Sequence, residues 1–130
     1  MLVVDASAAL YAAASSEGLS SLAIHDPVAP QLMWSEALSV LHEAQWRSAT
    51  SLELSEVARD RLLSSPIGMR QPNNLYDEAW RVAEELGWAK TYDAEYVALA
   101  RILGCRLLTV DERLRRGAGR LVEVIGPTEL

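Results

Sequence analysis

Four acidic residues stand where a chain leaves a strand or enters a helix: Asp5, Glu36, Asp93 and Asp111. Asp5 ends the short apolar run Leu2-Val3-Val4, and Asp111 directly follows Arg106-Leu107-Leu108-Thr109-Val110. Asp93 opens an apolar helical pattern, and Glu36 belongs to the first turn of another. A lone aspartate at such a place usually caps a helix. An acid closing a buried strand is costlier, because burial without a partner is unfavourable. Four such groups brought together would repel and raise one another's pKa, so the arrangement calls for a cation. Oxygen ligands without histidine or cysteine select Mg²⁺ or Mn²⁺ over zinc. The chemistry that fits is phosphodiester hydrolysis: such ions activate water for in-line attack on phosphorus and offset the charge that develops.

Whether the acids can meet depends on the elements that carry them. Leu2–Asp5 reads as a buried parallel strand, followed by helical stretches over Ala6–Ala14 and Glu17–Ile24. Pro27–Pro30 allows only a very short strand. Helices are expected from Trp34 to Arg47, then after a capping box at Thr50 and Glu53, with Leu54, Ala58 and Leu62 on one face. Ser64–Pro72 is a loop that could carry an edge strand near Ile67–Met69. Asn74 caps the next helix, which Gly87 ends; Asp93 caps another, stopped by Gly104. Strands over Arg106–Val110 and Leu121–Ile125 flank a helical turn at Asp111–Arg116. Strands alternating with helices define an α/β sandwich around a mostly parallel sheet.

In such sheets, ligands bind at the carboxyl ends of the strands. Asp5 and Asp111 belong there directly. The helix after Asp93 turns tightly at Gly104 into the next strand, so the two run antiparallel. About 11 helical residues span roughly 16 Å, and about five strand residues span roughly 17 Å. The matched lengths bring Asp93 beside Asp111. Glu36 joins them if the strand near Val28 is parallel to the first.

Composition agrees with a folded enzyme and excludes several alternatives. The 130 residues leave room for one domain, half of them are hydrophobic, and the net charge is −6. A protein that simply coats nucleic acid would be basic. Cys105 is the sole cysteine, so no internal disulfide is possible, and nothing resembles a signal peptide or a membrane span. A cytoplasmic protein is expected. His42-Glu43-Ala44-Gln45-Trp46 lacks the second histidine of a zinc-protease helix, and there is neither a nucleophile elbow nor a phosphate-cradling glycine loop. Arg113, Arg115, Arg116 and Arg120 crowd the segment after Asp111, where they could grip backbone phosphates. Trp34, Trp46, Trp80 and Trp88 read as core or interface anchors, and Tyr92 and Tyr96 as packing residues. A phosphoacceptor signalling domain would need a lysine near its last strand, but Lys90 is the only one. A non-catalytic scaffold that merely binds a partner would not need all four acids.

The segments Val4-Asp5-Ala6-Ser7, Ser35-Glu36-Ala37-Leu38, Tyr92-Asp93-Ala94-Glu95-Tyr96-Val97-Ala98-Leu99-Ala100 and Leu108-Thr109-Val110-Asp111-Glu112-Arg113-Leu114 have a joint order and spacing. In these the chain resembles the PIN-domain nucleases, particularly the VapC-type toxins of bacterial toxin–antitoxin modules. The resemblance implies a three-layer sandwich with a five-stranded parallel sheet and a Mg²⁺- or Mn²⁺-dependent endoribonuclease. It also implies a homodimer and a cognate antitoxin that covers the acidic pocket. The family's metal-binding and catalytic quartet falls on Asp5, Glu36, Asp93 and Asp111, and its auxiliary hydroxyls on Ser7 and Thr109. Ser39 departs from the asparagine that many relatives carry one turn after the second acid. A housekeeping RNA-processing member of the same family would share the quartet.

Overall fold

Five short extended segments pair at the centre of the molecule: β1 (Leu2–Val4), β2 (Pro27–Ala29), β3 (Gly68–Met69), β4 (Arg106–Leu108) and β5 (Val124–Ile125). The structure is a computed structural model that describes all residues from Met1 to Leu130. The sheet is parallel throughout, in the order β3-β2-β1-β4-β5. At its centre, Leu2 lies opposite Arg106 and Val4 opposite Leu108. The residues of β1 are at most 1% exposed, which explains an apolar run without alternation: both faces of the strand are covered. This order also differs from the 2-1-3-4-5 order of signalling receiver domains, which removes that reading.

Six α-helices flank the sheet: α1 (Ala6–Ala13), α2 (Leu32–Trp46), α3 (Leu52–Leu63), α4 (Leu75–Leu86), α5 (Tyr92–Leu103) and α6 (Glu112–Ala118). Helices α1, α2 and α3 pack on one another, α4 lies along α5, and α5 rests on β1 and β4. In α5, every residue from Ala94 to Ala100 is buried, so the helix is covered nearly all round. Arg101 ties it to α4 through Glu78 at 2.6 Å and Glu85 at 3.1 Å.

Both α4 and α5 end at a glycine in the left-handed region, Gly87 at φ +70° and Gly104 at φ +64°. The following amides complete the closure: Trp88 donates to the Ala83 carbonyl at 2.8 Å and Cys105 to the Ala100 carbonyl at 3.0 Å. The turn at Gly104 sends the chain from α5 straight into β4, the reversal expected from the sequence. No helix is long and apolar enough to cross a membrane.

Several element ends differ from expectation, each for a local reason. Helix α2 begins at Leu32, because the chain turns at Pro30, whose carbonyl accepts from Met33 at 3.0 Å. Glu36 is therefore in the second turn and gains nothing from the helix terminus. Asp93 is not a cap: Thr91 precedes α5 and no side chain caps it. Asn74 likewise makes no capping bond, and Ser51 rather than Thr50 caps α3, accepting from the Leu54 amide at 3.1 Å. The stretch expected to be helical over Glu17–Ile24 forms a 3₁₀ turn over Ser20–His25. There, Gly18 is pressed against the end of α1; a Cβ would come within 2.1 Å of the Ala12 carbonyl oxygen. The last strand shrinks because the amides of Leu121 and Val122 turn back to the Ala118 carbonyl. Trp34 and Trp88 pack against the core, whereas Trp46 and Trp80 are 81% and 63% exposed and are not core residues.

Gly104 offers a clean stability test, because a Cβ there would meet nothing within 4 Å. Gly104→Ala should lower the urea unfolding free energy by about 1 kcal/mol through backbone strain alone, with an unchanged m-value.

Candidate active site

Because the strands are parallel, their carboxyl ends share one edge, and that edge holds a cavity of about 600 Å³. Asp5, Glu36, Asp93 and Asp111 all line it, together with Ser7, Ser35, Ser39, Tyr92 and Tyr96. The four acids singled out from sequence therefore meet in space. Asp5 arrives from the end of β1, Glu36 from α2 after β2, Asp93 from the start of α5, and Asp111 from the junction of β4 and α6.

Asp5 is the most constrained of the four, only 4% exposed. Its Oδ1 accepts from the Ala8 amide at 2.8 Å and from the Ser7 hydroxyl at 2.7 Å; its Oδ2 accepts from the Thr109 hydroxyl at 2.5 Å. It thus caps α1 and bridges β1 to the end of β4. Each hydroxyl has one proton, and both are given to Asp5. As acceptors, Ser7 Oγ takes the Val110 amide at 3.1 Å and Thr109 Oγ1 takes the Asp111 amide at 3.0 Å. Asp111 in turn caps α6, its Oδ1 accepting from Arg113 at 2.9 Å and Leu114 at 3.3 Å. Ser7 and Thr109 are therefore the scaffold that fixes two acids. After these bonds one lone pair of Asp5 Oδ2 is left uncommitted.

Glu36 is half-buried and held by Tyr96, whose hydroxyl donates to Glu36 Oε1 at 2.5 Å. Tyr96 is 1% exposed, and packing alone was expected of it. Its position three residues after Asp93, on the same helical face, is the signal that could have assigned it to the site. Glu95 was not singled out either. It is 8% exposed, and Glu36 is the acid whose charge acts on it.

Electrostatics mark the site as unbalanced. Burial raises the carboxyl pKa of Asp5, outweighing the hydrogen bonds from Thr109, Ala8 and Ser7, and Asp93 adds to the rise. Burial also raises Glu36, against the pull of Tyr96 and with the push of Asp93. Asp93 stands at the open mouth, yet partial desolvation and then Asp111 raise it, while Arg113 draws it down. Burial and Glu36 raise Glu95. The Tyr96 phenol is pushed far up, first by burial and then by Glu36, and so stays a donor.

This donor set suits a hard divalent cation: carboxylate oxygens, no nitrogen or sulfur, and an ionised state that costs free energy without a counter-charge. The acids face one cavity without closing on one point; no three histidine, cysteine, aspartate or glutamate side chains form a ready metal-ligand group. Mutual repulsion among ionised carboxylates accounts for that spread.

The arginines expected to grip phosphate separate into two kinds. Arg115 is engaged by Glu129 at 2.5 Å, so it is not free. Arg113 and Arg116 take part in none of the ion pairs. Arg113 lines a second cavity that also includes Glu36, Asp93 and Asp111.

An all-parallel sheet with four acids at its carboxyl edge defines the class, and comparison with known proteins agrees. The chain belongs to the PIN domain family, whose model matches residues 2–120. It is 35% identical over 127 residues to "VapC ribonuclease Mb0985" of Mycobacterium bovis, with 88% of each chain covered. It is 32% identical over 123 residues to "Ribonuclease VapC3" of Mycobacterium tuberculosis, covering 88% of this chain and 85% of that one. Among solved structures, PAE2754 from Pyrobaculum aerophilum superposes with a TM-score of 0.73 at 27% identity, covering 98% of this chain and 90% of that one.

Raised carboxyl pKa values have a definite thermodynamic sign. Each such group supports folding below its unfolded value, 3.8 for aspartate and 4.5 for glutamate, and that support is lost as pH rises through the folded value. In chelator, these four groups should make the melting temperature fall as pH rises across this range, against the opposite contribution of Glu78 and Glu129, whose pKa values are drawn down by Arg101 and Arg115. Asp5→Asn should flatten part of that fall and melt no lower than the parent at neutral pH. An Asp5→Asn profile that runs parallel to the parent's through the same range would contradict the raised pKa of Asp5.

Proposed function

We propose that the chain is a Mg²⁺- or Mn²⁺-dependent endoribonuclease, a single PIN-like domain over residues 1–130 acting as the toxin of a toxin–antitoxin pair. The observation that carries this reading is the convergence of Asp5, Glu36, Asp93 and Asp111 on one cavity. Membership of the PIN family and relatives named as VapC ribonucleases support it.

In this reading the four acids would hold the metal; Asp5 Oδ2 keeps one lone pair and Glu36 Oε2 has no hydrogen-bond partner, so both have capacity for it. Bound there, the cation supplies Lewis-acid activation of water and neutralises charge on the phosphate. The residues around it have separate tasks. Ser7 and Thr109 fix the direction of Asp5, and Tyr96 fixes that of Glu36. Asp93, exposed at the mouth, stands where the attacking water and the phosphate would enter. As water attacks phosphorus its proton would pass to solvent, and the opposite P–O bond would break with its electron pair leaving on the ribose oxygen, which takes up a proton, so that the RNA strand is cut. Arg116 offers a further phosphate contact. Arg115 would first have to leave Glu129.

The proposal extends to a cytoplasmic homodimer and to an antitoxin that covers the site. An apolar groove formed by Leu10, Ala13, Val40, Leu41, Leu54 and Val57 supports such a partner, because Leu10 and Val40 also line the acidic cavity.

Asp5→Asn and Asp93→Asn should each reduce RNA cleavage by about a hundred-fold or more while leaving the fold intact. Tyr96→Phe, which touches Glu36 rather than phosphate, should cost about ten-fold. Gel assays with Mn²⁺ and with excess chelator, beside calorimetric Mn²⁺ titration, test this. Undiminished cleavage in chelator would reject the metal. Absence of Mn²⁺ binding and cleavage together would favour a non-catalytic scaffold.

A further inference from the structure

The acidic cavity adjoins a second one, of about 580 Å³, with Glu36, Tyr92, Asp93 and Asp111 lining both. The two differ sharply in charge. No cationic residue lines the first cavity, whereas Lys90 and Arg113 line the second. The six ion pairs of the chain use Arg47, Arg59, Arg81, Arg101 and Arg115, so neither Lys90 nor Arg113 is held in one, although Arg113 lies near enough to Asp93 to draw its pKa down. On the ridge between the cavities stands Tyr92, 57% exposed. Trp88 forms another part of the second cavity's wall. Its indole lies so close to Gly117 on α6 that a Cβ there would come within 2.9 Å. The loop from Gly87 to Thr91 is thus seated on α6, and Lys90 projects from it.

Resting on the ribonuclease reading, we propose that single-stranded RNA leaves the acidic cavity on this side only. The phosphate next to the scissile one lies between Lys90 and Arg113, and its base stacks on Tyr92. The reason is electrostatic. In a chain of net charge −6, a polyanion approaching four carboxylates gains only where unpaired cations face it. A stacking platform needs an unpaired base, so a duplex does not fit. Tyr92 and the two cations bind substrate; Trp88 is a positioning residue.

The test uses the full-length chain, Mn²⁺ and a short RNA oligonucleotide, with KM and kcat measured over a range of salt. Lys90→Ala and Arg113→Ala should each raise KM, leave kcat nearly unchanged, and reduce the slope of log(1/KM) against log salt by about 0.7. Tyr92→Ala should raise KM roughly five-fold or more, with recovery in Tyr92→Phe. The annealed duplex of the same oligonucleotide should be cut poorly. Arg106→Ala, at the opposite edge of the sheet, serves as the control for loss of any cation. If wild type cleaves and the three variants match Arg106→Ala, the track is wrong and the ribonuclease reading stands. Loss of kcat with KM and slope preserved also overturns the track, because it would mark the cations as support for the acids. If wild type cleaves no RNA, both readings fall.

Discussion

The carboxylate of Asp5 is the constraint around which the site is built. A strand buried on both faces has to end somewhere, and here it ends in a group whose charge prefers water. Three donors compensate in part, and they come from different elements: Ser7 and Ala8 from the first turn of α1, and Thr109 from just beyond β4. Satisfying one acid therefore fixes the start of α1 and the approach of β4 to β1. Through the Asp111 amide on Thr109, it also fixes the start of α6. Desolvation still outweighs these bonds, since the pKa is raised. The geometry is settled and the charge is left unmet, which is the condition under which a cation binds at little cost in reorganisation.

Around that fixed point, the other acids are graded by access. Glu36 is half-buried and oriented by a phenol that cannot ionise at physiological pH. Asp93 and Asp111 stand exposed at helix starts, where solvent and substrate reach them. Rigid elements hold each of them: α5 is buried along most of its length and pinned to α4 through Arg101. The remaining arginine ion pairs sit on helix surfaces, where they contribute little stability. They nonetheless engage four further arginines, so Lys90 and Arg113 are the cations beside the site that no ion pair holds.

The features legible in the sequence were those with a strong local cause. Glycine stops, a strand without alternation and the Gly104 reversal predicted β1, β4, α4 and α5, and with them the meeting of Asp93 and Asp111. The helix entrances were less legible, because competing caps look alike. Asp93, with the residue type of a cap, lies inside its helix, while Asp5, read as a strand end, does the capping. Glu36 reached the site although its helix starts a turn earlier than expected, since the carboxyl edge gathers whatever α2 presents. Tyr96 and Glu95 were hidden for another reason. Their role depends on what lies across the cavity from α5, and local periodicity carries no information about that. Burial of the tryptophans was also undecidable locally: Trp88 is covered because Gly117 leaves space for it, and Trp80 has no such counterpart.

Stability and chemistry pull against each other at this edge. Raised pKa values mean that the folded, metal-free chain bears a free-energy cost at neutral pH that the unfolded chain does not. The cost is tolerable because it is confined to one rim, while the faces of the sheet are covered by a continuous apolar core. Moving any acid inward would deepen the penalty, and moving it outward would loosen its direction. The observed compromise puts the most directional acid deepest, where neighbours can fix it, and the most accessible ones at the mouth.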